Sequence, residues 1–144
     1  MRTASYADVG PSTLALALLC ACGPPPPTLS REQLLDPETC RTCHADHVRE
    51  WAGSMHAYAA DDPVFLAMNA RGQRETDGAL GDFCVRCHAP MAVLEGATED
   101  GLNLPELPQH LKGVTCYFCH QVVEVEGAHN NPLRLANEIG RAHV

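Results

Sequence analysis

Three pentapeptides in this chain set two thiols and an imidazole at one fixed spacing: Cys40-Arg41-Thr42-Cys43-His44, Cys84-Val85-Arg86-Cys87-His88 and Cys116-Tyr117-Phe118-Cys119-His120. Cysteines three apart lie on one side of a single helical turn, so both thiols can add to the two vinyl groups of one haem. The histidine that follows then sits under the ring, where its imidazole binds the iron as proximal ligand. One such pentapeptide can arise by chance. Three in 144 residues point to three covalently attached haems c.

Two other chemistries use the same residue types. Paired Cys-x-x-Cys knuckles build tetrahedral zinc sites, but such knuckles come in pairs that complete four ligands, and here three occur, each followed at once by histidine. A Cys-x-x-Cys redox pair belongs near a βαβ pattern, and none is visible. Of the eight cysteines, six lie in the pentapeptides and Cys20 and Cys22 close an N-terminal apolar run, which leaves none for a structural disulfide.

Each iron has a second axial face, for which His47, His56, His110 and His129 remain. His47 follows His44 by three residues on the same helical face and cannot reach around the ring; packing or a propionate hydrogen bond suits it better. His56 lies twelve residues past His44, roughly 18 Å along a continuous helix. The two axial nitrogens of one iron are only about 4 Å apart. Unless Gly53 folds the helix back, His56 therefore ligates a different haem from the one at Cys40 and Cys43, joining two haems closely enough for electron exchange. His110 and His129 sit in loops, where a distal ligand can be delivered and where exposed histidines are also ordinary. Met55, Met68 and Met91 are further ligand types, although beside apolar neighbours at helical spacing methionines more often pack the core.

The elements that must position these groups are short. Aromatic residues make up 5% of the chain, and no alternating β-branched run suggests a sheet. So few large apolar residues bury little surface alone. Three macrocycles would alter that balance, so the haems are expected to form the core and the haem-free chain to be largely unfolded. Ser30 and Gln33 have capping-box spacing for a short helix that Pro37 interrupts. A helix is expected from Thr39 to about Ala60, with His47, Trp51 and Met55 on one face and Gly53 and Ser54 weakening its middle. Asp62 as N-cap with Pro63 starts another over Val64, Phe65 and Met68 that stops by Gly72. Residues 72–81 read as a loop, residues 89–94 as one or two turns closed by Gly96, and residues 98–108 as an acidic loop. Residues 121–125 alternate weakly, and from Gly127 onward only turn residues stand out.

The formal charge of −8, with Lys112 the only lysine, excludes a nucleic-acid binder. A redox partner protein docking by charge should present a basic face. Leu14 to Leu19 are too few to cross a bilayer permanently but suffice as the apolar region of a signal peptide. The ending Leu19-Cys20-Ala21-Cys22 resembles the lipobox of bacterial lipoproteins, on which Cys22 becomes the acylated N-terminus; an ordinary secretory signal cut nearby is the alternative. Either way the chain is exported to the periplasm or cell surface. Pro24 to Pro27 form an extended tether. The last seven residues, Glu138 to Val144, resemble the in-frame translation of a common sequencing adapter, so His143 is not counted as a ligand. The expected organisation is a lipoprotein-type signal peptide over 1–21, a proline-rich tether over 22–37, an incomplete haem domain over 38–137 and an adapter-derived tail over 138–144.

The run from Cys40 through Glu50-Trp51 to Ser54-Met55-His56 resembles the multihaem cytochromes grouped with cytochrome c-554 and the hydroxylamine oxidoreductases. Phe83-Cys84 to His88-Ala89-Pro90 and Gly113-Val114-Thr115-Cys116 to His120 extend the likeness over about residues 38–131. The resemblance implies a mostly α fold with long loops and little or no sheet, wrapped around closely packed haems, many of them bis-histidine. It also implies electron transfer outside the cytoplasm, with His56 matching the distal histidine of a Ser-x-His element. Relatives usually carry four or more haems, and three motifs are present here. Electron transfer is therefore the expected function. The alternative is an oxidoreductase acting on small nitrogen or sulfur compounds through one five-coordinate haem.

Overall fold

A computed structural model describes residues 29–136. The signal peptide, Cys22, the run from Pro24 to Pro27 and the tail over 138–144 lie outside the described residues, whereas the end of the tether expected over 22–37 is described and helical over Arg31–Leu35. The first helix, α1 (Arg31–Leu35), starts at the expected capping box: the Ser30 hydroxyl accepts from the Gln33 amide (3.2 Å) and the Gln33 side chain accepts from the Ser30 amide (2.9 Å). Pro37 does more than interrupt. Asp36 caps the Glu38 amide (2.9 Å), and Pro37, whose missing N–H costs nothing in a first turn, opens α2 (Pro37–Ala52).

The helix expected to continue to Ala60 ends at Ala52. Gly53 closes it, Ser54 is extended, and α3 (Met55–Tyr58) starts afresh. A second departure lies at His44, whose φ of −126° and ψ of 46° kink α2. The shared face of His47, Trp51 and Met55 is therefore cut between Trp51 and Met55. Asp62 caps Val64 (3.0 Å) and Pro63 begins α4 as expected, but α4 (Pro63–Glu75) runs past Gly72. That glycine lies under Leu80, where a Cβ would come within 2.5 Å of Cδ2. It is in the helix for space rather than as a stop signal.

Turns over residues 76–84 lead to α5 (Val85–His88), α6 (Pro90–Leu94) with Gly96 at φ +67°, and 3-10 turns at Leu104–Glu106 and Gln109–Leu111. The Thr115 side chain caps α7 (Cys116–His120). The chain then forms a two-stranded antiparallel sheet, β1 (Val122–Val125) with β2 (Leu133–Leu135), pairing Val122 with Leu135 and Val125 with Leu133. Three residues of β2 are too few to announce a strand by alternation. The mostly helical fold with minimal sheet is as expected.

A peptide core exists around Leu35, Phe65, Val85, Met91, Leu104 and Phe118, supplemented by Ala60, Ala89 and Ala92. Among the described methionines only Met91 packs there; Met55 (67% exposed) and Met68 (57%) lie on the surface, contrary to their expected place in the core. They stand with Val64, Phe83, Val123 and Val125 as exposed apolar side chains.

Candidate haem-attachment sites

In each motif the first cysteine is half-buried and the second is exposed. Short helices with one face in the core produce this pattern. In α7 Tyr117 and Phe118 pack inward, leaving Cys119 and His120 outside; in α5 Val85 is buried while Arg86 and Cys87 are exposed. In α2 the whole stretch from Arg41 to His44 is exposed, and the helix is held instead by Pro37 and Val48. All six thiols are free. Two thiols and an imidazole on one turn, with the second thiol of each pair open to the surface, fit a thioether-bound haem. Tetrahedral zinc needs four ligands at one point, and among the described residues no three His, Cys, Asp or Glu side chains converge as a metal-holding group.

The three histidines are held differently. His88 is half-buried: its Nδ1 donates to the Ala59 carbonyl (2.8 Å), and the Phe65 ring lies flat on it, centroids 3.9 Å apart and planes 5° from parallel. With Nδ1 carrying the proton, Nε2 keeps a free lone pair for iron. His44 is exposed, with the His47 ring 6.0 Å away at 28°, which keeps His47 on the His44 side as its spacing predicts. His120 is exposed at the end of α7.

One short segment ties the motifs together. Trp51 Nε1 donates to the Val114 carbonyl (2.8 Å), and the Val114 amide donates to the His56 carbonyl (2.9 Å). Gly113 (φ +68°) packs so tightly on the carbonyls of His56 and Ala57 that a Cβ would come within 2.5 Å of the first and 2.7 Å of the second. Residues 51–57 are thus fastened to the approach of the third motif, and Ala59, just beyond, to the histidine of the second. Arg31 completes the setting of α7: its guanidinium lies 4.8 Å over the Tyr117 ring and also bonds the Tyr117 hydroxyl and Glu95.

The first and third motifs are neighbours as well. Burial pushes the Cys40 thiol above its ordinary value, opposed by a bond to Cys116 and reinforced by Asp36 and Cys43; burial likewise raises Cys116, reinforced by Cys40. Both stay protonated near neutrality. Nothing in the sequence announces this proximity, nor the Phe65 and Ala59 contacts to His88, because each joins segments more than 20 residues apart across the turns after α4.

Of the distal candidates, His56 has an exposed side chain beside the third motif's approach. The break at Gly53 replaces the continuous helix on which its distance from His44 was reckoned. His129 is exposed in a turn whose Asn131 side chain donates to the Arg86 carbonyl, placing that turn against the second motif. His110 is half-buried in the turn before Leu111 and Lys112. Lys112, noted in the sequence only as the single lysine, is buried, with Nζ bonded to Asp61 (3.1 Å) and the Pro105 carbonyl (3.2 Å).

No curated protein and no solved structure matches the chain. A family profile does, over residues 39–121, a span that takes in all three motifs and His56. More than half of the chain is covered, and the chain therefore belongs to the cytochrome c554 and c-prime family, which binds haem c covalently and uses it for electron transfer.

Proposed function

We propose that this protein is a three-haem electron carrier. Cys40 and Cys43, Cys84 and Cys87, and Cys116 and Cys119 form the thioethers, and His44, His88 and His120 are the proximal ligands. The observation that carries the reading is the pattern common to all three motifs: the second thiol exposed on a single turn whose remaining residues or flanks hold it to the fold. Haem held there would supply one-electron transfer. The chain's part is to hold the groups close together, through residues 51–59 and through the contact of Cys40 with Cys116.

His56 is the first choice as a distal ligand. Its place against the approach to the third motif supports ligation across motifs, and His129, in a turn beside the second, is the next choice, with His110 third. Bis-histidine iron of this kind is low-spin and of low potential. The apolar run ending at Cys22 and the acidic charge support an exported, lipid-anchored protein whose redox partners present basic faces.

Mass spectrometry of tryptic peptides tests the haem number, each motif being expected to carry one haem mass; any motif without it lowers the count. Carbon monoxide binding to the reduced protein tests the function. A wholly low-spin, unreactive spectrum is expected. A haem that binds carbon monoxide has an open face and would favour an oxidoreductase acting on small nitrogen or sulfur compounds.

A further inference from the structure

The three proximal histidines are not equivalent, and the difference lies in the polypeptide. His88 alone is half-buried, donates Nδ1–H to a main-chain carbonyl and is covered on one face by an aromatic ring. The carbonyl belongs to Ala59, just after α3, and the ring to Phe65, which is 6% exposed in α4. Turning the imidazole about its bond to Cβ would break the hydrogen bond and clash with a ring stacked at 3.9 Å. His44 and His120 are both exposed, and His44 stands at the kink in α2.

We propose that Phe65 and the Ala59 carbonyl are positioning groups that fix the imidazole plane of His88, making the haem at Cys84 and Cys87 electronically distinct, with the lowest potential of the set. This rests on the three-haem reading. An imidazole whose far N–H is donated to a carbonyl is a more basic ligand, and a more basic ligand favours ferric over ferrous iron. A fixed plane adds a fixed orientation of the ligand orbitals against the porphyrin, which sets the low-spin spectrum. Phe65 acts through His88 and is not itself a ligand. Its aromatic plane is the necessary feature, because an aliphatic side chain of similar bulk cannot hold an imidazole flat.

The experiment compares wild type, Phe65→Leu and Phe65→Tyr as haem-loaded proteins by redox titration and low-temperature electron paramagnetic resonance. In Phe65→Leu one haem alone, the lowest, is expected to shift to higher potential and one low-spin signal to broaden or move, with Phe65→Tyr restoring both. Unchanged potentials and signals in Phe65→Leu, with haem still on the peptide from Cys84 to His88, overturn the proposal and leave the three-haem reading intact. A peptide there without haem overturns both. Should Phe65→Leu fail to fold, the reduced, diamagnetic wild-type protein decides by nuclear magnetic resonance. One proximal Nδ1–H is expected to exchange with solvent more slowly than the other two and to show a cross-peak to the Phe65 ring; three that exchange alike overturn the proposal.

Discussion

His56 presents its main chain to the fold and its side chain to solvent, since its carbonyl accepts from Val114 while the imidazole is exposed. His56→Ala keeps the anchoring bond, so the peptide's own stability should change by no more than about 0.5 kcal/mol. On the ligation proposed above, one iron would lose a ligand. A high-spin ferric signal equivalent to one haem, with carbon monoxide binding on reduction, is the expected outcome in the mutant's resonance and optical spectra; a spectrum identical to wild type removes His56 from the ligand set. Gly113 is the opposite case, a residue that matters for what it lacks. Its φ of +68° and the 2.5 Å a Cβ would leave to the His56 oxygen make Gly113→Ala both strained and crowded. Backbone strain of this kind costs about 1–3 kcal/mol, and the clash adds to it. Denaturant unfolding should show the loss, and a midpoint equal to wild type would mean that residues 56 and 57 do not bear on Gly113.

Among the elements, α4 joins local sequence to the site most directly, because the helix that Asp62 caps carries Phe65 to His88. Asp62→Ala should lower stability by about 1 kcal/mol, the usual cost of a lost N-cap, and Asp62→Asn should retain most of it. Thermal melts of the two proteins with equal haem content provide the check; equal melting points would show that the cap contributes nothing. The start of α4 was legible because Asp, Pro and an apolar run are local signals. Its end is not at Gly72, whose reason is the Leu80 side chain folding over it from eight residues on. The same distinction separates the rest. The capping box of α1, the turns after the second motif and the attachment pentapeptides are written within five residues of sequence. The break after Ala52 is marked locally too, by Gly53 and Ser54, whereas the pairing of β1 with β2 depends on strands too short to show a period and the contacts of His88 on segments 20 or more residues away.

At the scale of the whole molecule, the peptide core is small and three of its members are alanines, while Met55, Val64, Met68, Phe83 and Val125 lie outside it. A chain with the six motif cysteines replaced by serine should lose most of its helical circular dichroism; retention of the wild-type signal would show that the peptide core suffices without haem. The chain carries a formal charge of −8, and among the described residues the arginines are largely paired, Arg41 with Glu38, Arg86 with Asp82 and Arg134 with Glu124. Electron transfer with a basic partner should therefore slow as salt rises through the range where the screening length falls to about 8 Å. A stopped-flow rate indifferent to ionic strength would mean docking by apolar surface instead.

The closeness of Cys40 and Cys116 also bears on how the molecule is made. As the chain approaches this arrangement, a sulfhydryl not yet ligated at either position meets its counterpart from a segment far apart in sequence, and an oxidant would cross-link the two. One wrong bond would then spoil two sites together. Maturation must therefore either keep the nascent polypeptide reduced or load one of these positions before the other is brought alongside it.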